Sequence, residues 1–258
     1  MPLLRQSVPQ VVSPLLMAVV VVVIILSVFV WAWAVRRPVP AGDASEGGPA
    51  PPTRPITYAA IGASDVVGQG ANNPAGESWV NVLHEKLPQG SRLVRLGRGG
   101  ITLREANSFE LPQAIAAQPD LVTLWNCVND ATGGVPLDAY LEDLNEALSR
   151  LTRETRAQVL LLNLPDISIV TAADEEQREL VRGGVLQWNA AITTVAATFG
   201  ERVHVVDLFP ASAEVLEHPD YLSPDHFHPS TSGYRRLAQV VWDAMERAGV
   251  LERLERKT

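Results

Sequence analysis

Residues 56–68 read Ile56-Thr57-Tyr58-Ala59-Ala60-Ile61-Gly62-Ala63-Ser64-Asp65-Val66-Val67-Gly68. The run Ile56–Ile61 is mostly apolar and does not alternate cleanly, the pattern of a strand covered on both faces. It ends at a glycine, a small residue and a serine, where a strand gives way to a helix. Such a turn places a hydroxyl at the rim of a sheet, and glycine lets the backbone bend tightly there. A serine in this position also serves as a plain turn or cap residue.

Outward from this stretch, the same pattern recurs in Arg92–Leu96, Asp120–Trp125, Gln158–Asn163 and Arg202–Leu208. Helical spacing fills the gaps. Glu77–Leu87 carries Trp79, Val80, Leu83 and Leu87 on one face, and Leu103–Ala117, Leu137–Thr152, Asp174–Thr198 and Ser232–Ala248 follow. Gly183-Gly184 is a candidate interruption of the fourth helix. Alternation of strand and helix predicts a doubly wound α/β sheet. In such sheets function gathers at the carboxyl ends of the strands.

Three further segments stand where that rule looks. Leu96-Gly97-Arg98-Gly99-Gly100-Ile101-Thr102 follows the second strand, and Trp125-Asn126-Cys127-Val128-Asn129-Asp130 follows the third. A glycine N–H and an asparagine amide are donors able to stabilise an oxyanion. They also serve simply to open a helix or cap one. Near the C-terminus stands Ser223-Pro224-Asp225-His226-Phe227-His228-Pro229. An Asp three residues before a His can fix that imidazole's tautomer while the other ring nitrogen meets a nucleophile. The rival readings are a polar loop, or metal ligation by Asp225, His226 and His228.

Together the four segments resemble the conserved blocks of the SGNH hydrolases, the GDSL-like lipases and esterases, from about Thr57 to Glu246. The order and strand context agree: Ser64 after strand one, Gly100 after strand two, Asn129 after strand three, His228 before the last helix. The resemblance implies a flavodoxin-like three-layer sandwich with a five-stranded parallel sheet. It implies a serine ester hydrolase with Ser64 as nucleophile, His228 as base and Asp225 as its orienting acid. Ser64, Gly100 and Asn129 would form the oxyanion hole, with neither metal nor organic cofactor. Two departures stand out. The family's Gly-Asp-Ser is Gly62-Ala63-Ser64 here, with an acid at Asp65 instead, and its Gly-x-Asn-Asp is Cys127-Val128-Asn129-Asp130. Cys127 reads as a buried apolar residue, bulkier than glycine and able to narrow the loop. Acyl transfer to a sugar hydroxyl, glycan deacetylation and a non-catalytic binding domain are the alternatives. The expected partner is a small-molecule, lipid or glycan ester. Ile167–Ala173 and Ala211–Leu222 carry no readable specificity code.

The formal charge of −8 argues against nucleic-acid binding, which needs a basic face. Cys127 is the single cysteine, so no internal disulfide forms. Ahead of the domain, residues 1–14 form a short tail. Leu15–Val35 is apolar apart from Ser27, and its length at about 1.5 Å per residue matches a hydrocarbon core of about 30 Å. Trp31 and Trp33 suit a headgroup boundary. We expect an uncleaved membrane anchor with the catalytic domain outside the cytoplasm. The competing reading is a signal peptide cut near Ala32-Trp33-Ala34, giving a secreted protein. Arg5 and Arg36-Arg37 flank the two ends, so charge does not decide orientation. Residues 36–55 are rich in Pro, Gly and Ala and read as an extended tether to a hydrolase domain over 56–258.

Overall fold

The computed structural model describes residues 53–171 and 174–256. The expected tail, the apolar span and nearly all of the tether lie outside them. No helix among the described residues is long and apolar enough to cross a membrane.

Five strands form one sheet: β1 (Thr57–Gly62), β2 (Arg92–Gly97), β3 (Leu121–Trp125), β4 (Gln158–Leu162) and β5 (Val203–Val206). Their order is β2-β1-β3-β4-β5 and every pairing is parallel. Between them run α1 (Ser64–Val67), α2 (Pro74–Glu77), α3 (Trp79–Glu85), α4 (Leu103–Phe109), α5 (Leu111–Ala116), α6 (Cys127–Thr132), α7 (Leu137–Glu154), α8 (Glu175–Ala197), α9 (Glu214–Glu217), α10 (Thr231–Arg247) and α11 (Val250–Glu255). The strand order reverses between β1 and β3. Right-handed crossovers therefore place α3 on one face and α4, α5, α7 and α8 on the other. α10 returns to pack on α3, and α11 packs on α10 and β4. The expected doubly wound α/β sandwich is the fold.

β1, β3 and β4 are buried almost throughout, with Tyr58, Ile61, Leu121 and Leu124 at the centre. Each such side chain contributes about 1.5–3 kcal/mol on leaving water. The Tyr58 hydroxyl meets Thr123 Oγ1 at 2.9 Å, so β1 and β3 share a satisfied polar contact inside the core. β2 differs from the expected buried run: it is an edge strand, and Arg92 and Arg95 are exposed. β5 is shorter than expected: the 3-10 turn Gly200–Arg202 takes its first residue, and the strand ends at Val206.

Two expected helices are each broken in two. Extended backbone at Ser78 cuts Glu77 off from the rest of the expected 77–87 helix, and in the expected 103–117 helix Pro112 enters at the start of α5, where a missing N–H costs least. α8, by contrast, runs unbroken through Gly183-Gly184. The tether's last residues are bound to the domain. Thr53 bonds to Glu255 through its N–H and hydroxyl, and Arg54 bridges Asp120 and the Leu254 carbonyl.

Candidate active site

Ser64 opens α1 directly beyond the carboxyl end of β1. The turn before it is tight because Gly62 has no side chain: a Cβ there would lie 2.5 Å from Val66 Cγ2 and 3.1 Å from the Trp125 carbonyl oxygen. The turn stands at the reversal of strand order, where doubly wound sheets open a crevice.

His228 arrives from 164 residues away, on the loop before α10. Its Nε2 lies 3.0 Å from Ser64 Oγ, and its Nδ1 lies 2.7 Å from Asp225 Oδ2. The carboxylate at Nδ1 holds the proton on that nitrogen, leaving Nε2 to accept from the serine hydroxyl. Asp225 Oδ1 accepts from Ser223 Oγ and from the N–H groups of Phe227 and His228. Burial works to raise the Asp225 pKa, but these donors and the His228 ring outweigh it and hold the carboxyl well below its usual range. The loop is pinched at its base by a bridge between Leu222 and Pro229, and His226 takes a left-handed φ of 58° within it.

Several ties press the two loops together. Tyr234 Oη donates to the Gln69 carbonyl at 2.6 Å, and the Asn72 N–H donates to Thr231 Oγ1 at 3.0 Å. Gly70 sits between the loops with φ +95°, and a Cβ there would meet the Pro229 oxygen at 2.5 Å and His228 Cβ at 3.0 Å. Phe227 stands edge-on to the His228 ring, 5.1 Å between centroids.

Asn129 lies within α6 and does not cap it. Its Nδ2 donates to the Ile101 carbonyl at 3.0 Å, which uses one of two N–H bonds and brings the amide beside Gly100. The adjacent Asp130 accepts from the Leu103 N–H, fastening the same loop at the start of α4. Burial, with the charge of Asp143, pushes Asp130 up to about 6. Gly100 itself has φ +75° and open space where a Cβ would be. Cys127 is fully buried, with Sγ 3.8 Å from the Leu162 carbonyl, and burial pushes its thiol far above the usual range.

Two acids, Asp65 half-buried and Glu110 buried, underlie the serine turn. Asp65 accepts from Trp79 Nε1 at 3.1 Å and from the Ala63 N–H at 3.3 Å, and burial raises it to about 6. It is therefore not the partner of His228. Glu110 Oε2 accepts from the Gly62 N–H at 3.3 Å while Oε1 is buried without a partner. Burial, helped by the charge of Asp65, pushes Glu110 up to about 8. The roles of Gly70, Tyr234 and Glu110 were not legible in the sequence. Each acts through a contact across the fold; the local signal that could have pointed to one of them is the Gly68-x-Gly70 pair, both of positive φ.

A cavity of about 190 Å³ opens at Ser64, Asn129 and His228 and runs between α10 and the segments after β4 and β5. Among the described residues no cluster of His, Cys, Asp and Glu could hold a metal ion, so the ligand reading of Asp225, His226 and His228 has no geometry behind it.

Residues 60–236 match the GDSL-like lipase/acylhydrolase family. The chain belongs to that family. It is thus an esterase- or lipase-type acylhydrolase, as the resemblance of its four segments implied. No curated protein matches the sequence. Among solved structures, an acetylxylan esterase from Geobacillus stearothermophilus superposes with a TM-score of 0.60 at 20% identity, over 74% of this chain and 94% of its own. A lipase/acylhydrolase from Enterococcus faecalis gives 0.59 at 18% identity, covering 74% and 95% respectively. An α/β hydrolase from the metagenome of Lake Arreo, Spain, gives 0.59 at 22%, covering 76% and 96%. At these identities the likeness is one of fold. The GDSL-like signature itself is altered here, since the family's acid before the serine is replaced by Ala63 and the acid follows as Asp65.

Proposed function

We propose that this chain hydrolyses carboxylic esters through an acyl-enzyme on Ser64. His228 Nε2 takes the hydroxyl proton as Ser64 Oγ attacks the carbonyl carbon. The resulting oxyanion is held by the N–H groups of Ser64 and Gly100 and by the second N–H of Asn129. Collapse expels the alcohol, which receives the proton from His228. Water then repeats the sequence in reverse and releases the acid. Asp225 stabilises the imidazolium that forms at each step. The observation that carries this reading is the hydrogen-bonded chain Ser64–His228–Asp225, with links of 3.0 and 2.7 Å.

The test is Ser64→Ala with a fluorophosphonate probe. Turnover of p-nitrophenyl esters should vanish while the fold is kept, and the probe should label the wild type at Ser64. Labelling that survives in the variant removes Ser64 from this role. The anchor over residues 15–35 belongs to the same proposal and rests on its length and apolar run alone. Protease added to intact cells should remove the catalytic domain. A domain cut only after lysis reverses the orientation.

A further inference from the structure

The cavity beside Ser64 has a chemistry of its own. Its inner wall is built from Ile169 and Val170 after β4, Ala211 and Val215 after β5, and Leu237 and Val240 of α10. Of the polar side chains that also reach it away from Ser64, three are already bound to the protein, and Tyr221 adds a ring stacked on His218. Asp166 accepts from Ser168 and is paired with Arg182, Ser212 Oγ donates to the Leu208 carbonyl, and Arg236 forks onto Glu214 with two bonds of 2.6 Å. Trp125 and Asn126, at the end of β3, also line the cavity, but their unpartnered atoms are covered. A sugar placed among those segments would lose its bonds to water and find few free partners in return. An alkyl chain would lose nothing and gain contact along its whole length.

On the reading of Ser64 as nucleophile, we propose that this cavity holds the acyl chain of the substrate and that the preferred ester is that of an unbranched fatty acid of about six to eight carbons. The size follows from the volume. An apolar protein cavity of about 150 Å³ accommodates benzene, six carbons, and this one measures about 190 Å³. The acetyl group named for the Geobacillus stearothermophilus structure would leave most of that space unfilled.

The full chain is assayed with p-nitrophenyl esters from acetate to dodecanoate, and separately with the isomers ethyl hexanoate and hexyl acetate. Each methylene that enters an apolar wall is worth roughly fourfold. The kcat/KM should therefore rise by about two orders of magnitude from acetate to hexanoate and stop rising beyond about eight carbons. Ethyl hexanoate should be cleaved at least about tenfold faster than hexyl acetate, although the two have the same atoms. Ala211→Phe, and independently Val215→Phe, should lower the hexanoate-to-acetate ratio by at least about tenfold. A ratio cancels any loss common to both esters, so partial misfolding does not imitate the result. Preference for acetate, or for hexyl acetate, overturns the acyl-cavity assignment while leaving the hydrolase intact. A gain that continues to dodecanoate overturns the size limit. Failure to cleave any ester, with no labelling of Ser64, overturns the hydrolase reading itself.

Discussion

Asp225 Oδ1 is held by three donors while Oδ2 alone faces His228. That asymmetry makes a sharp experiment possible. In Asp225→Asn the three donors keep the amide oxygen at the Oδ1 position and turn the NH₂ toward His228 Nδ1. The ring must then carry its proton on Nε2, where it can no longer accept from Ser64. The wrong tautomer costs about 10⁴-fold in a buried triad. The Asp225 side chain is 44% exposed, so water competes for the amide, and we expect a loss of about 10²–10³-fold in kcat. Asp65→Asn should cost less than about tenfold, since Asp65 bonds Trp79 and Ala63 and not the imidazole. Steady-state kinetics on both variants decide the matter, and equal losses would refute the role of Asp225.

Among the elements, the loop bearing His228 is placed by what lies across from it, not by its own sequence. Gly70 is the tightest point of that contact. Gly70→Ala would force a left-handed φ on a residue with a Cβ and drive that Cβ into the Pro229 carbonyl. A displacement of about 1 Å in a catalytic group can cost 10²-fold. We expect at least a tenfold fall in the rate of fluorophosphonate labelling at Ser64, with secondary structure retained by circular dichroism. An unchanged rate would mean the loop has slack. The same contrast explains what the sequence could reveal. β1, β3 and β4 were readable because each is covered on both faces and so is apolar at nearly every position. Ser64, Asn129, Asp225 and His228 were readable because each stands in a short local motif. The break at Glu110 was hidden because apolar spacing continues across it through Leu103, Ala106, Leu111 and Ala114, and β2 was misjudged because its two exposed arginines sit in an otherwise apolar run. Tyr234 stands at a buried position of α10, and its hydroxyl bond to Gln69 is invisible until α10 has docked.

For the molecule as a whole, the acids whose pKa is raised set a dependence on pH. Glu110 has an ordinary value of 4.5 and is pushed up to about 8 in the fold. The folded state then binds more protons than the unfolded chain between those values, and stability falls as pH rises through that window. Below it the contribution is fully present; above about 8 it is lost. Asp65 and Asp130, each raised from 3.8 to about 6, act in the same direction over a lower range. Glu110→Gln keeps an acceptor for the Gly62 N–H but cannot ionise. Urea unfolding between about pH 5 and pH 9 should show the variant more stable than the wild type at the alkaline end and the two converging at the acid end. A difference independent of pH would remove Glu110 as the cause. The reach from Ser64 to His228 has a temporal meaning as well. At a synthesis rate of about 5–20 residues per second, the 164-residue separation takes about 10–30 s to cover. On the reading of Ser64 as nucleophile and His228 as its base, the nascent chain carries the first without the second throughout that interval, so a chain terminated before His228 should be inert toward esters.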